Sequence, residues 1–300
     1  MSKAIEKLKK IDLSNRPIEN IAKIISEIIE DKVGICFLIT HYNKSDFPKI
    51  IERAVQNNDL KSVFTTVERI SYTLPKWNTV YKRASTPTNT MFYGSPTIEE
   101  YGEKLLDKCR ITISCEACDL LRKTEFSLDD NVRHMTFGQW EVEDTLNLLT
   151  IIDPAKNYTN PLMIKLQKNY LSSLEHHPEL KASTLEYMTF MANEFAKPVS
   201  EGSNHEYLIS SLFTERFTKG TGFDGVMYPS VKADEIGICV AIYPEAVKKI
   251  KLRQVSQYEL TRYADGATIL LTKRCDVDKD ATTFQLLNID EYNKSKKIVN

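Results

Sequence analysis

The chain has 300 residues, 42% of them hydrophobic, and a formal net charge of −1. This length supports one large domain or two small ones, and the near-zero charge argues against a protein that binds nucleic acid through a strongly basic face. No run approaches the roughly 18 apolar residues of a membrane span, so neither nucleic acid nor a membrane is expected as a partner.

The location of the protein is predicted from its first residues and its cysteines. The first ten residues are charged and lack the apolar core of a secretion signal. Six cysteines are scattered along the chain, and without such a signal they are expected to be reduced thiols. We therefore expect a cytoplasmic protein.

Residues 1–66 are predicted to form a small helical extension. Isoleucines recur at helical spacing over residues 18–29, and Pro17 suits a first helical turn. Residues 33–40 fit either a helix or a buried strand, whereas 47–56 and 60–67 favour helix. An apolar stripe of this kind must be buried, and we expect it to pack on the rest of the chain or on a second copy. The alternative is that the extension is the first layer of a single domain.

From residue 67 onward, short runs rich in β-branched and aromatic residues predict strands. These runs are 67–72, 90–93, 111–114 and 146–152, followed after residue 255 by 268–272 and 283–287. Helices are predicted over 97–108, 162–174, 185–195 and 207–219. Strand runs and clustered helices without strict alternation favour an α+β fold. The predicted domains are a catalytic domain over 67–255 and a β-rich tail over 256–300 that packs on its core.

Residues 222–231 form the most informative stretch of the sequence. Gly222 and Gly225 permit backbone angles closed to other residues, and Pro229 fixes its own φ. The pattern predicts a helix, a tight turn and a short strand with Ser230 at its end, followed by a buried strand over 236–243. A serine presented in this way often lines a cleft.

Two arginines, two tyrosines and a glutamate upstream of this stretch are the other candidate site residues. Arg69 and Arg83 lie near predicted strands, and a guanidinium offers a planar, always charged donor fork that matches phosphate oxygens. Tyr81 and Tyr93 offer faces on which a flat ring can stack. Glu116 supplies a carboxylate that can accept hydrogen bonds. Taken singly, each arginine is more often a surface cation.

Two other motifs in the sequence have simpler structural interpretations. Cys115 and Cys118 form a C-x-x-C pattern, but His134 is a lone further ligand and a structural zinc site needs a second pair. Two small buried thiols on a helix are the simpler interpretation. The Gly-X-Gly-X-X-Gly pattern over 220–225 follows a helix and precedes a strand, the reverse of the order in dinucleotide-binding folds.

In chain order, these elements resemble the RES-domain family, which is named for its Arg, Glu and Ser. The resemblance covers roughly residues 69–252. Its most specific part is the match of residues 224–230 to the family's Asp-Gly-X-X-Tyr-Pro-Ser element. Lys82 and Ser85 depart from the Gly and Asn common around the family's second Arg, and Cys239 stands near a frequent Asn.

The resemblance implies an ADP-ribosyltransferase-like fold that breaks down NAD by phosphorolysis or hydrolysis, as the toxin of a toxin–antitoxin pair. NAD would be the substrate, inorganic phosphate a possible co-substrate and an antitoxin protein a possible partner, with no metal or resident cofactor. A homo-oligomer is also possible. The implied catalytic residues are Glu116, Arg69 and Ser230, and the implied NAD-binding residues are Arg69, Arg83, Tyr81, Tyr93 and Ser230.

The chemistry of NAD fits these residue types. Its nicotinamide leaving group is already cationic and needs no general acid, so the site must position the bond and stabilise an oxocarbenium-like ribose. Three alternatives stay open on the sequence. They are a protein ADP-ribosyltransferase, a non-catalytic NAD-binding module, and an interaction protein that acts through its N-terminal helices.

Overall fold

The chain passes back and forth between two structural units in the computed structural model. The first unit comprises Met1–Tyr42, Thr73–Phe92 and Thr145–Val247, and the second comprises Asn43–Tyr72, Tyr93–Asp144 and Lys248–Asn300. The structure describes residues 3–29, 34–43, 49–99, 102, 105–123, 125–200, 202–219, 221–233 and 236–299. Each unit is built from segments that lie far apart in the sequence.

The elements alternate irregularly along the chain, as in α+β proteins. The helices are α1 (Lys3–Lys9), α2 (Ile18–Ile29), α3 (Val67–Ile70), α4 (Leu105–Ala117), α5 (Pro161–Leu174), α6 (Pro178–Ala196), α7 (Leu208–Thr218) and α8 (Ile289–Val299). The strands are β1 (Ile39–Tyr42), β2 (Ile50–Gln56), β3 (Phe92–Pro96), β4 (Val132–Val142), β5 (Leu146–Thr150), β6 (Gly225–Pro229), β7 (Ile238–Ile242), β8 (Ile250–Arg262), β9 (Ala267–Asp276) and β10 (Leu287–Asn288). No described helix has both the length and the apolar character needed to cross a membrane.

The first unit contains a small mixed sheet with the strand order β1-β5-β6-β7, and helix α7 contacts β6. Strands β5 and β6 are parallel, and the other two pairs are antiparallel. All five residues of β7 are buried. Helix α2 buries Ile21, Ile24, Ile25 and Ile28 and contacts α7 of the same unit. The predicted apolar stripe is therefore covered by the protein's own chain.

In the second unit, the strands follow the order β3-β2-β4-β8-β9-β10, and each pairing recorded within the unit is antiparallel. Helix α4 lies on one face, where Ile113 packs in a buried cluster with Ala54 and Phe137. Helix α3 lies on the other face. Gly138 follows Phe137 on β4 and therefore faces the opposite side of the sheet, and a Cβ on Gly138 would come within 3.4 Å of the Ile70 Cδ1 atom. The two helices therefore lie on opposite faces of this sheet.

The expected α+β class is confirmed, and most of the longer helices lie where they were predicted. Helices α2, α5, α6 and α7 match the predicted helices, and β5, β6, β7 and β9 match predicted strands. The predicted helix over 97–108 is only partly described, since residues 100, 101, 103 and 104 lie outside the described residues. Helix α4 begins at Leu105 and runs on to Ala117.

Several predicted elements are wrong, and their surroundings explain why. The helix predicted over 47–56 is strand β2 where the structure describes it, because residues 50–56 are paired with β4 throughout. The strand predicted over 67–72 begins with helix α3, and 111–114 lies inside α4. Residues 60–66 are not helical, and 283–286 lie before the short β10. The extension over 1–66 is thus not purely helical, because it contains β1 and β2.

Candidate functional site

The segment after α7 folds as its sequence predicts. Gly222 has φ +81° in the turn, β6 follows, and Ser230 stands directly after the strand. Ser230 is fully buried. Its Oγ accepts a hydrogen bond of 3.1 Å from the Ala233 N–H, and its own N–H donates to the Gly237 carbonyl at 2.9 Å. The serine is thus held rigidly in a tight loop of the first unit.

Arg83 lies in the first unit and is buried, with 7% of its surface exposed. Its guanidinium donates hydrogen bonds to the carbonyl oxygens of Phe195 and Lys197, the second at 3.1 Å. It also lies over the Tyr207 ring at 5.2 Å. Tyr81, two residues earlier, is half-buried, and burial raises the pKa of its phenol. These contacts give Arg83 a structural role at the end of α6, and its predicted role in NAD binding stays a prediction.

A small cavity lies beside these residues. Phe195 and Pro229 line a cavity of about 50 Å³ in the first unit, together with Asp153, Lys156 and Tyr158. Ligand sites for drug-sized molecules are typically about 300–1,000 Å³. This cavity cannot accommodate a dinucleotide.

The two predicted arginines are expected to differ sharply in their effect on folding. Arg83→Ala leaves one buried and one half-buried carbonyl without a charged donor and should lower the free energy of unfolding by about 2–4 kcal/mol. Arg69→Ala, at an exposed position, is expected to cost less than about 1 kcal/mol. Urea unfolding of the two variants and the parent measures both values. Equal stabilities for the two variants would contradict the structural role of Arg83.

Arg69 lies in the second unit, on the short helix α3, and is exposed. Its guanidinium lies over the Phe64 ring at 4.4 Å, and its Nη2 donates to the Asn58 Oδ1 at 3.3 Å. These contacts orient the side chain and leave much of its charge facing solvent. Of the two predicted anion-binding arginines, Arg69 has the exposure that a ligand contact requires.

Arg53 is a further arginine of this region, and no pattern in the sequence predicts a role for it. It extends from β2 and donates to the carbonyls of Ile70 at 3.2 Å, Ser71 at 2.9 Å and Tyr93 at 2.8 Å. Burial lowers the pKa of this guanidinium to about 10, the Tyr93 phenol acts to raise it, and the charge of Arg69 lowers it. Arg53 thereby joins the helix that carries Arg69 to the strand that carries Tyr93.

A cleft of about 530 Å³ opens at the end of β2, within the second unit. Its lining is rich in amide and carboxylate groups, and consists of residues 56–60, Asp119 and residues 129–134. Asn58 belongs to this lining, so its contact with Arg69 places that arginine beside the cleft. The volume lies in the range of ligand sites.

Salt bridges neutralise part of the negative charge in this cleft. Arg133 donates to the Asp119 Oδ1 at 3.0 Å and to the Asp130 Oδ1 at 2.6 Å. Hydrogen bonds from Arg133 and Lys123 hold the pKa of Asp130 well below its usual range. The lining still holds four aspartates and one arginine, so the cleft offers many hydrogen-bond acceptors and keeps a net negative charge.

Glu116 lies on the last turn of α4 and is half-buried. Its backbone carbonyl accepts a hydrogen bond from Arg122 at 3.4 Å. Glu116 and Arg69 belong to helices on opposite faces of the sheet, but both helices reach the end of β2. The Asp119 N–H, three residues after Glu116, donates to the Gln56 Oε1 at 2.9 Å, while Arg69 contacts Asn58. Glu116 and Arg69 are not in direct contact.

A buried ionisable cluster anchors α4 to the sheet. Glu52 of β2 is fully buried and pairs with the Arg110 Nη2 at 3.2 Å. Burial raises the pKa of Glu52 to about 7, although the Arg110 charge acts in the opposite direction. Burial, aided by Glu52, also raises the pKa of the Cys109 thiol to about 12. No ligand can reach Glu52 without opening this contact, so its role is to hold α4.

Stability is expected to depend on pH through Glu52. Since its pKa rises from an ordinary 4.5 to about 7 on folding, the folded state binds the proton more tightly. The stabilisation is complete below pH 4.5 and is lost as the pH rises to about 7, by at most about 3 kcal/mol. Glu52→Gln should remove this pH dependence. Urea unfolding between pH 4.5 and 8 tests it, and equal slopes in parent and variant would contradict the assignment.

The cysteine pair matches the predicted pair of buried thiols on a helix only in part, because α4 ends at Ala117. Cys115 is half-buried near the end of α4, and Cys118 is buried and unpaired. Burial raises the pKa of the Cys118 thiol, which disfavours the reactive thiolate. No group of three or more His, Cys, Asp or Glu side chains among the described residues could hold a metal ion.

Comparison with known proteins adds no relative. No protein-family model matches the chain, and no curated protein matches it in sequence.

Proposed function

We propose that the protein consumes NAD by cleaving the bond between nicotinamide and ribose, on an ADP-ribosyltransferase-like fold. The proposal assigns it the role of the toxin in a toxin–antitoxin pair. It is supported by the resemblance of residues 69–252 to the RES-domain family and by the cleft at the end of β2. The observation that carries it is the position of the exposed Arg69 beside a cleft of about 530 Å³.

Arg69 binds the pyrophosphate of NAD in this proposal. A guanidinium donates a charge-assisted pair of hydrogen bonds to phosphate oxygens, and the Phe64 ring beneath it fixes its direction. Arg53 acts as a positioning residue, since its hydrogen bonds to Ile70, Ser71 and Tyr93 set the distance between α3 and β3. The binding energy of the pyrophosphate then holds the reacting ribose in place.

The acceptors of the cleft suit the hydroxyl groups of ribose. Asn58 and Asp59 lie two and three residues after the end of β2, and the Asp59 Oδ1 already accepts the N–H groups of Lys61 and Ser62 at 2.7 Å. Because these hydrogen bonds fix the Asp59 carboxylate, its other oxygen is positioned to accept a hydrogen bond from a ligand. Ribose hydroxyls donate readily to such groups, and the Asp119–Arg133–Asp130 pairs limit repulsion of the phosphates.

Glu116 stabilises the transition state in the proposed reaction. The bond between ribose C1′ and the nicotinamide nitrogen breaks, and its electron pair neutralises the nicotinamide cation. The ribose develops positive charge, which a nearby carboxylate offsets. Phosphate attacks this same ribose carbon to give ADP-ribose 1″-phosphate. Alternatively, water attacks it and releases a proton to give ADP-ribose. Ser230 and Arg83, in the first unit, keep their implied NAD-binding roles as predictions.

The test is incubation of the purified chain with NAD, with and without inorganic phosphate, followed by mass spectrometry of the products. We expect nicotinamide together with ADP-ribose or its 1″-phosphate. Transfer of ADP-ribose to a protein would instead indicate a protein ADP-ribosyltransferase. Intact NAD after long incubation at several pH values, in the presence of phosphate and without an antitoxin, would contradict the proposal.

Binding measurements test the assignment of Arg69 separately. Arg69→Ala is expected to weaken ADP-ribose binding by about 10- to 100-fold, the cost of a lost charge-assisted contact of about 1.5–3 kcal/mol. Lys168→Ala serves as the control, because Lys168 is exposed on α5 of the other unit. Isothermal titration measures both. Unchanged affinity in Arg69→Ala would remove Arg69 from the site.

A further inference from the structure

A group of buried polar side chains lies between α4 and the sheet of the second unit. Glu52 of β2 is completely buried, and one of its oxygens pairs with the Arg110 Nη2 atom of α4 at 3.2 Å. The neighbouring Cys109 is also completely buried, and its thiol donates to the Pro96 carbonyl at 3.1 Å. These contacts tie the first half of α4 to strands β2 and β3.

Other polar atoms of this group have no partner in the closed structure. The second oxygen of Glu52, the Nε atom of Arg110 and the Oγ atom of Ser114 are buried without a hydrogen-bond partner among the described residues. A buried polar atom in this state has a higher free energy than the same atom in water. Separation of α4 from the sheet would let water reach all three atoms, which offsets part of the packing that is lost.

The groups that act on Glu52 come from three elements. Arg110 of α4 lies closest, and its Nη1 atom is also 4.0 Å from the exposed Asp107. Gln139 lies opposite Glu52 on β4, and the charge of Arg274 on β9 reaches Glu52 as well. Burial raises the pKa of Glu52 to about 7, although Arg110, Gln139 and Arg274 all act to lower it. Desolvation therefore outweighs the surrounding positive charge.

Helix α4 can separate from the sheet without disrupting the strand pairing. Its outer face lies in solvent, where Ile111 is 56% exposed. Beneath the helix, β4 pairs with β2 over residues 50–56 and with β8 along its whole length. The hydrogen bonds of these ladders do not involve α4. An opening confined to α4 therefore costs less free energy than unfolding of the whole unit.

We propose that Glu52 is a proton-controlled anchor, and that loss of its proton releases α4 from the sheet while β2, β4 and β8 stay paired. The ionised carboxylate is hydrated in the opened form, whereas the protonated carboxyl fits the closed form. Glu116 lies on the last turn of the same helix, so the opening also frees the backbone that positions this residue. Only this effect on Glu116 rests on the proposed function, and the opening itself does not.

The expected pH dependence follows from the proton affinity of the two forms. The closed form binds the proton of Glu52 more tightly, so the closure of α4 is most stable below pH 4.5 and weakens as the pH rises to about 7. The opening constant of α4 should rise about 10-fold per pH unit within this window and level off above it. The Cys109 thiol does not titrate there, because burial raises its pKa to about 12.

Hydrogen–deuterium exchange of the full chain between pH 5 and 8, corrected for intrinsic exchange, tests the proposal. Amides of α4 should show this rise, with opening constants at least 10-fold larger than those of the β4–β8 ladder at every pH. Glu52→Gln keeps the shape of the protonated side chain and should abolish the rise. Glu19→Gln is the matched control, because Glu19 is exposed on α2 of the other unit, and it should behave like the parent.

Labelling of Cys109 with iodoacetamide gives a second measurement of the same opening. Because Cys109 is completely buried, the reagent reaches it only when α4 has separated. The ratio of labelling rates in the parent and in Glu52→Gln cancels the pH dependence of the thiol itself. This ratio should rise about 10-fold per pH unit up to pH 7.

Arg110→Met separates a titrating anchor from a merely structural contact. The variant removes a cation that lowers the pKa of Glu52, so the pH at which opening levels off should move above 7. A merely structural contact would instead increase opening by the same factor at every pH, and that result would overturn the proposal. Equal opening constants for α4 and the β4–β8 ladder would also overturn it, as would an unchanged rise in Glu52→Gln. None of these measurements requires cleavage of NAD.

Discussion

Replacing Glu116 with glutamine is expected to leave ADP-ribose binding intact and to slow nicotinamide release by about 100-fold or more. The substitution keeps the shape of the side chain and its place on the last turn of α4. It removes the negative charge that would offset the developing oxocarbenium. Nicotinamide release is measured by chromatography, and ADP-ribose binding by isothermal titration.

Glu19→Gln is the matched control for this change, because Glu19 is exposed on α2 of the other unit. It should release nicotinamide at the parental rate. A near-parental rate in Glu116→Gln would exclude Glu116 as the catalytic carboxylate while leaving the NAD-cleaving activity itself intact. Glu99 and Glu125 would then be the next carboxylates to replace within the described residues.

Replacing Gly225 with alanine is expected to lower the free energy of unfolding by more than about 3 kcal/mol. An added Cβ would lie 2.1 Å from the Ala241 carbonyl oxygen and 3.0 Å from the Ile242 Cα atom. Both are backbone atoms of the neighbouring strand β7, so no side-chain rotation relieves the clash. The β6–β7 ladder would have to separate to accommodate the methyl group.

Gly222→Ala provides the comparison within the same motif. Gly222 has φ +81° but no atom within 4 Å of its added Cβ. Its substitution should therefore cost only the backbone strain, about 1–2 kcal/mol. Urea unfolding of the two variants measures the difference. If Gly225→Ala proves no less stable than Gly222→Ala, the close approach of β6 and β7 is not as the structure describes it.

The success of the sequence-based predictions depended on the length and packing of each element. Helices α5, α6 and α7 carry repeated apolar positions over three turns or more and were predicted correctly. Residues 111–114 look like a strand locally, but they lie within a 13-residue helix. Strand β2 carries the buried Glu52 beside Arg53, so it lacks the simple alternation of apolar and polar residues on which strand prediction relies.

The sequence identifies the candidate site residues by their type, but it does not show how each one is surrounded in the fold. Arg69 and Arg83 look alike in sequence, since both are arginines near β-like runs with aromatic neighbours. The structure separates them, because Arg83 is buried against the carbonyls of Phe195 and Lys197 whereas Arg69 is exposed. Arg53 was not singled out because its partners lie 17, 18 and 40 residues away. No local pattern in the sequence signals such contacts.

The interleaving of the two units constrains how the protein folds as it leaves the ribosome. The first unit has all its segments only once Val247 has been synthesised, and the second requires residues after Lys248. Strand β4 in particular must wait for β8, whose residues pair with it from Ile250 onward. Until then β4 can pair only with β2 and leaves its other edge open, a state prone to aggregation. Translation speed through the last fifty residues should therefore affect the yield of folded protein more than speed through the first fifty.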